Sequence, residues 1–172
     1  MTVKQIIVLM RWSVLALGIA VTQAQANDAL WMATEKDWQA FRVEEDRGRT
    51  CFVSSVPTES KGDYKKRGEI LAQVFHMPSE KERNVVMFRA GYKFKKQSNV
   101  EVKIDGRTFQ LFTIEDRAYA ESEEDDIAII QSMKRGRRMT VTGTSSRGTE
   151  TTDIYSLSGF TKAKNLIDKT CK

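Results

Sequence analysis

The chain has 172 residues, 40% hydrophobic and 30% charged, with two cysteines, one histidine and a formal net charge of +5. Both signs of charge are interspersed and no basic run alternates with stacking aromatics, which argues against a nucleic-acid protein. The cysteines, Cys51 and Cys171, are too few for a zinc cluster and too far apart for a redox CxxC pair.

The first element in chain order is a leader. Lys4 and Arg11 precede an apolar run over residues 12–21, and Ala24 and Ala26 give small-x-small spacing before a cleavage point. This is the three-part pattern of a secretory signal peptide, cleaved after Ala26. A membrane span needs about 20 apolar residues, and Arg11 splits this run, so a removed leader is expected rather than an anchor. No cysteine stands near the cleavage point to carry a lipid. The organisation read here is a leader over 1–26 and one domain over 27–172, long enough for a real core. Losing Lys4 and Arg11, with no acid before residue 27, takes the net charge from +5 to +3. The expected location is the periplasm, the cell surface or the medium, and the protein is not expected to be integral to a membrane.

The remainder reads mostly as short strands. WQAFRV (38–43) and TCFVSSV (50–56) flank a turn carrying Gly48, and ILAQVFHM (70–77) stops at Pro78. Residues 61–66 form a flexible charged loop around Gly62. NVVMFRAGYKF (84–94) is strand-like, with Gly91 at a bulge. VEVKI (100–104) alternates strictly and is followed by Asp105-Gly106 and TFQLFTI (108–114), a strong hairpin signal. RMTVTGT (138–144) and TDIYSL (152–157) complete the set. Two helices interrupt the pattern. In SEEDDIAIIQSMKRG, Ser122 caps with Asp125 three residues on, four acids occupy the first turn, and Lys134 and Arg135 the last. Gly136 is placed at C′, and Ile127, Ile130 and Met133 form the apolar stripe. The second helix runs from about 160 to 171 with Phe160, Ala163, Ile167 and Cys171 on one face, and Lys162, Lys164, Asp168 and Lys169 mostly away from it.

An even cysteine count in an exported chain suggests a disulfide between Cys51 and Cys171, the alternative being two free buried thiols. If paired, they close nearly the whole domain, which the chain-entropy model values at about 4–5 kcal/mol.

Taken together, GYKFKKQSNVEVKIDGRTFQLFT, MKRGRRMTVTGTSSRGT and TDIYSLSGFTKAKNLIDKTC resemble the invasion-associated locus B family of exported proteobacterial proteins. WQAFRVEEDRGRTCFVSSVP fits that family's first strand pair and its cysteine, so the resemblance covers nearly the whole domain. At Ala118–Ala120 the chain departs from the pattern, which places a Trp there. The resemblance implies a small β-rich exported domain associated in some pathogens with host-cell invasion. It implies no enzymatic activity and no cofactor.

The candidate sites are few. Lys134, Arg135, Arg137 and Arg138 make the densest basic cluster, and with Arg147 they form a candidate patch for an anionic envelope or host-surface partner. The dipole explains Lys134 and Arg135 without a partner, but not Arg137 and Arg138. Arg147 is expected to pair with Asp153 and lock a turn, or else to face a ligand anion. SSRGTETTDIYSL holds Ser145, Ser146 and Ser156, which would need His76 and Asp153 to act as a hydrolase, and no GxSxG elbow is present. The acids from Glu115 to Asp126 lack calcium-loop spacing, and His76 alone makes no metal site.

The sequence therefore predicts an antiparallel β-sandwich or partly closed barrel of about seven to nine strands with two short helices, the last tethered by Cys51–Cys171. Its expected role is an exported, non-enzymatic binding or structural module of the envelope, with a periplasmic envelope-maintenance factor and a His76 hydrolase as alternatives. Alkylation of the denatured, unreduced protein should leave its mass unchanged. Two added labels in the intact mass would refute the disulfide.

Overall fold

The computed structural model describes residues 29–46 and 48–172; the leader with its cleavage point lies outside them. The elements are β1 (Leu30–Glu35), β2 (Trp38–Glu45), β3 (Gly48–Ser55), β4 (Glu59–Gly62), β5 (Leu71–Met77), β6 (Glu82–Arg89), β7 (Val100–Ile104), β8 (Arg107–Ile114), β9 (Arg117–Tyr119), α1 (Glu123–Arg135), β10 (Arg138–Thr144), β11 (Glu150–Ser156) and α2 (Phe160–Thr170). The expected mainly-β fold with two helices is what forms. The strands number eleven among the described residues, in one open antiparallel sheet ordered β1-β2-β3-β5-β6-β9-β8-β7-β10-β11-β4.

Three strands went unread in the sequence, β1, β4 and β9, and each is short. The first two residues of the charged stretch expected as a loop, Lys61 and Gly62, belong to β4, which pairs Glu59–Gly62 with Ile154–Thr151 of β11. Conversely, β6 ends at Arg89, so Gly91 lies in a loop rather than at a bulge. The Asp105-Gly106 hairpin forms as read: Ile104 pairs Arg107, and the two turn residues have φ of 42° and 87°. Such a turn matches the twist of the strands it joins. In β7, Val100, Val102 and Ile104 are buried, while Glu101 and Lys103 turn outward.

A sheet this wide buries one face by curling. The core is a single cluster drawing on β2, β3, β5 to β11 and both helices. Its two arms meet where the Trp38 indole N–H on β2 donates to the Ser156 carbonyl at the end of β11, 3.0 Å away. Trp38 is fully buried and meets Phe160 of α2 edge-on at 4.8 Å. Ala118, the first residue of the stretch Ala118–Ala120 in which a Trp is expected, is fully buried on β9 opposite Phe88.

The buried face of α1 departs from the expected phase, whereas α2 buries Phe160, Ala163, Ile167 and Cys171 as expected. The buried face of α1 is Asp126, Ile129, Ile130 and Met133, while Ile127 is 42% exposed. The stripe follows i, i+3, i+4, i+7 from an acid, so counting apolar residues alone starts one position late. Gly136 has φ −78°, an ordinary conformation, so it is not the left-handed C′ residue expected. It is needed for space: a Cβ there would lie 2.7 Å from Ile104 Cγ2 and 2.9 Å from Leu157 Cδ1.

Lys164, expected to point outward, is 2% exposed. Its ammonium bonds Asp168 one turn on and donates to Asn84 Oδ1 at 2.8 Å. The Asn84 N–H donates to His76 Nδ1 at 3.0 Å, which leaves the ring proton on Nε2, 2.8 Å from Asp168 Oδ1. Burial lowers both His76 and Lys164 from their ordinary pKa values. Beside this cluster the disulfide forms as expected, with Cys51 and Cys171 Cα atoms 5.9 Å apart and 120 positions separated in sequence. Cys51 is the cross-strand neighbour of His76, so covalent and polar ties hold α2 at the same place.

Asp126 accepts the Val86 N–H at 2.8 Å and so ties α1 to β6. Burial raises its carboxyl to about 6, against the Val86 hydrogen bond. The folded chain keeps that proton to higher pH than the unfolded chain, so this group's contribution falls as pH rises from about 4 to about 6. Asp126→Asn should therefore raise Tm at about pH 8 and lose that advantage at about pH 4. His76 is common to both proteins and cancels in the difference. Thermal unfolding across that range checks it, and a pH-independent difference would be the contrary result.

Candidate functional site

Three loops converge on a cleft of about 670 Å³. They are the connection after β4, the segment after β6, and the turn between β10 and β11. Their meeting depends on two glycines. The Gly68 N–H donates to the Gly91 carbonyl at 2.8 Å. Gly91 has φ of 72°, and a Cβ on it would stand 2.7 Å from Gly68 O.

That approach seats Arg67. Its guanidinium donates to the Ala90 carbonyl from Nε at 2.9 Å and Nη2 at 2.7 Å. It meets Asp153 of β11 in a two-pronged pair, 2.7 Å from Oδ1 and 2.6 Å from Oδ2. The two side chains are only 3% and 5% exposed. Ser60 of β4 adds a 2.7 Å bond to Asp153. The guanidinium lies between the rings of Tyr64 and Tyr92, 5.1 and 5.0 Å from their centroids. The Tyr92 hydroxyl is held 2.7 Å from Thr151 Oγ1, and burial raises its pKa. A buried pair of this kind adds little net stability, but removing one partner is costly. It fixes three segments to one another and spends its charge internally.

The third wall is a tight turn. The Gly148 N–H donates to Ser145 O at 2.8 Å, and the Thr149 N–H to Ser145 Oγ at 3.1 Å. The Ser146 N–H reaches Lys93 O at 2.7 Å. Ser146 and Arg147 are left exposed at the tip. Lys93 pairs with Glu115 at 2.6 Å. Lys65, Lys66 and Arg147, all exposed, form no ion pair among the described residues. Asp63 is the acid among the cleft's lining residues. The cleft therefore presents three unpaired cations against one acid, two hydroxyls and the exposed Tyr64 ring over a neutralised floor.

The structure redistributes the sequence-read site. Arg147 does not pair with Asp153; Arg67 does, from the loop that the Gly68–Gly91 hydrogen bond anchors. The basic patch is not one surface. Lys134, Arg135, Arg137 and Arg138 precede or begin β10, and Arg147 follows its far end, roughly 20 Å away along the strand. Arg135, Arg137 and Arg138 are exposed and Lys134 is half-buried. Arg138 lies 3.8 Å from Glu59, and the Arg137 N–H donates to Asp105. Two of the three candidate serines are committed elsewhere, Ser145 Oγ to the Thr149 N–H and Ser156 Oγ to the Ser158 N–H, while Ser146 is exposed at the tip of the turn. His76 bonds Asp168 and Asn84, and Asp153 bonds Arg67 and Ser60, so no bonded serine–histidine–aspartate array is assembled. Among the described residues no group of three His, Cys, Asp or Glu is placed to hold a metal, and no helix is long and apolar enough to cross a membrane. Sequence reading missed Tyr64 and Arg67. DYKKRG stood out as charge, but nothing in it names residues 91 or 153 as its contacts.

Gly91→Ala and Gly148→Ala separate strain from collision, since both positions have positive φ but only Gly91 faces a neighbour within 4 Å. Gly148→Ala should cost about 1 kcal/mol, and Gly91→Ala about 2 kcal/mol more, with the loop displaced. Denaturant unfolding of both checks it; equal losses would contradict the close approach as the seat of Arg67.

No curated protein and no solved structure is significantly similar to the chain. A family model described as invasion associated locus B (IalB) protein matches residues 38–168, which includes the cleft, the Arg67–Asp153 pair and most of α2. The chain belongs to the invasion associated locus B family.

Proposed function

We propose that this protein is an exported, non-enzymatic binding module of the bacterial envelope that engages an anionic partner through the cleft at Lys65, Lys66 and Arg147. Family membership supports an exported, invasion-associated protein in general terms. The observation that carries the finer reading is the cleft itself, in which three exposed cations form no ion pair among the described residues while the buried Arg67 is neutralised by Asp153. Fixed cations around a concave site raise the local concentration of an anionic ligand and speed its capture. The His76 hydrolase alternative is disfavoured, because Ser145, His76 and Asp153 are committed to separate structural bonds. The partner is a component of the envelope or of a host surface.

The cleft, rather than the cluster at the start of β10, is the binding face. The labelled mature protein should associate with isolated outer membranes or with host cells, and less so as salt rises. Lys66→Glu with Arg147→Glu should reduce that association about tenfold, while Arg137→Glu with Arg138→Glu leaves it nearly unchanged. The opposite ranking would transfer the function to the β10 cluster. Association with outer membranes alone would assign the partner to the envelope, and with host cells to contact outside it.

A further inference from the structure

The ligand class follows from how the cleft distributes its chemistry, given the reading of that cleft as the binding site. Its unpaired cations come from two different loops. Lys65 and Lys66 stand on the loop after β4, and Arg147 stands at the tip of the β10–β11 turn. The single guanidinium that could grip one anion with two prongs, Arg67, already grips Asp153. Separated point charges suit a ligand whose negative groups are themselves separated, rather than a lone phosphate or sulfate. The cleft's volume of about 670 Å³ falls within the range of sites for small organic ligands and exceeds the needs of one oxyanion.

The neutral part of the lining is equally informative. Tyr64 is 36% exposed at the cleft, with Arg67 over its ring. Tyr92 offers no comparable platform, since its ring is half-buried, with Phe94 edge-on at 5.3 Å in addition to Arg67. One open ring is a platform for one flat apolar face. A track for single-stranded nucleic acid instead stacks successive bases on successive aromatic rings. The same cleft is lined by the hydroxyls of Ser146 and Thr149, which make no side-chain hydrogen bond among the described residues, and by Asp63. Sugar rings combine an apolar face for a tyrosine with hydroxyls for Ser, Thr and Asp.

We infer that the cleft binds an acidic oligosaccharide, a run of sugar rings carrying carboxylate or sulfate groups. One ring lies on Tyr64, its hydroxyls meet Ser146, Thr149 and Asp63, and its flanking anions meet Lys65, Lys66 and Arg147.

The test is titration of the mature protein at low salt with four probes. They are a sulfated hexasaccharide, a hexamer of galacturonate, neutral maltohexaose, and inorganic sulfate. One or both charged hexamers should bind, and the neutral hexamer and free sulfate should bind at least about tenfold more weakly. A preference for sulfate or for carboxylate identifies the source of the charge. Tyr64→Ala should weaken the charged hexamer about fivefold or more, and Tyr64→Phe, which keeps the ring over Arg67, should restore it. Unchanged affinity in a folded Tyr64→Ala protein, or equal binding by a thymidine oligonucleotide of matched charge, would overturn the saccharide assignment. If the hexamers fail to bind but Lys66→Glu with Arg147→Glu still abolishes membrane or host-cell association, the binding module stands and the saccharide falls. If the hexamers bind and that double variant changes neither property, the cleft itself is the wrong site.

Discussion

An open sheet of eleven strands exposes two faces to water, and this chain has apolar residues enough for one of them. Curling resolves the mismatch. The curl is held where the Trp38 indole reaches the Ser156 carbonyl, because β2 and β11 lie near opposite ends of the strand order. Much else follows from that meeting. Phe160 packs on Trp38, so α2 starts at the seam and runs back along β1, β2 and β3. Cys171 then arrives beside Cys51, and Lys164 and Asp168 arrive beside His76 and Asn84. A closed barrel would need no such seam, since it has no edges to bring together.

The cleft arises from a different necessity. Loops at one end of a curled sheet crowd one another, and charge carried into that crowd must be matched. Arg67 enters between two tyrosines and is answered by Asp153, with Ser60 and the Ala90 carbonyl completing its bonds. A buried pair of this kind is a weak source of net stability and a strong source of geometry, since leaving either partner alone costs several kcal/mol. Of the exposed cations lining the cleft, Lys93 pairs with Glu115, and Lys65, Lys66 and Arg147 form no ion pair among the described residues. This division of labour separates the arginine that builds the site from the lysines and arginine that meet a ligand.

The His76–Lys164–Asp168–Asn84 cluster illustrates how a chemically suggestive set can be structural. A lone histidine near an acid and a lysine invites a catalytic reading. Here the ring is fully buried, both nitrogens are engaged, and burial keeps it neutral. The cluster sits under α2 beside the disulfide, where its hydrogen bonds satisfy polar groups that would otherwise destabilise the core.

The strands from β2 to β11 with strong alternation, the Asp105-Gly106 hairpin, both helices and the cysteine pair were legible in the sequence, because each is signalled by neighbours a few residues away or by the even count itself. The strands β1, β4 and β9 were not: β4 and β9 have only four and three residues, and LWMATE of β1 lacks the strict alternation that marks the five-residue β7. The phase of α1 was hidden because its first buried position is an acid, and the burial of Lys164 because its partners are Asp168 on α2 and His76 and Asn84 on two distant strands. For the candidate site, Arg147 and the lysines of the charged loop were visible as charge. That Arg147 belongs with Lys65 and Lys66 rather than with Arg137 and Arg138 was decided only by the tertiary structure. Local sequence determines what a segment is, whereas which segments share a surface depends on contacts such as Gly68 with Gly91 and Arg67 with Asp153, made across strands that the linear order keeps far apart.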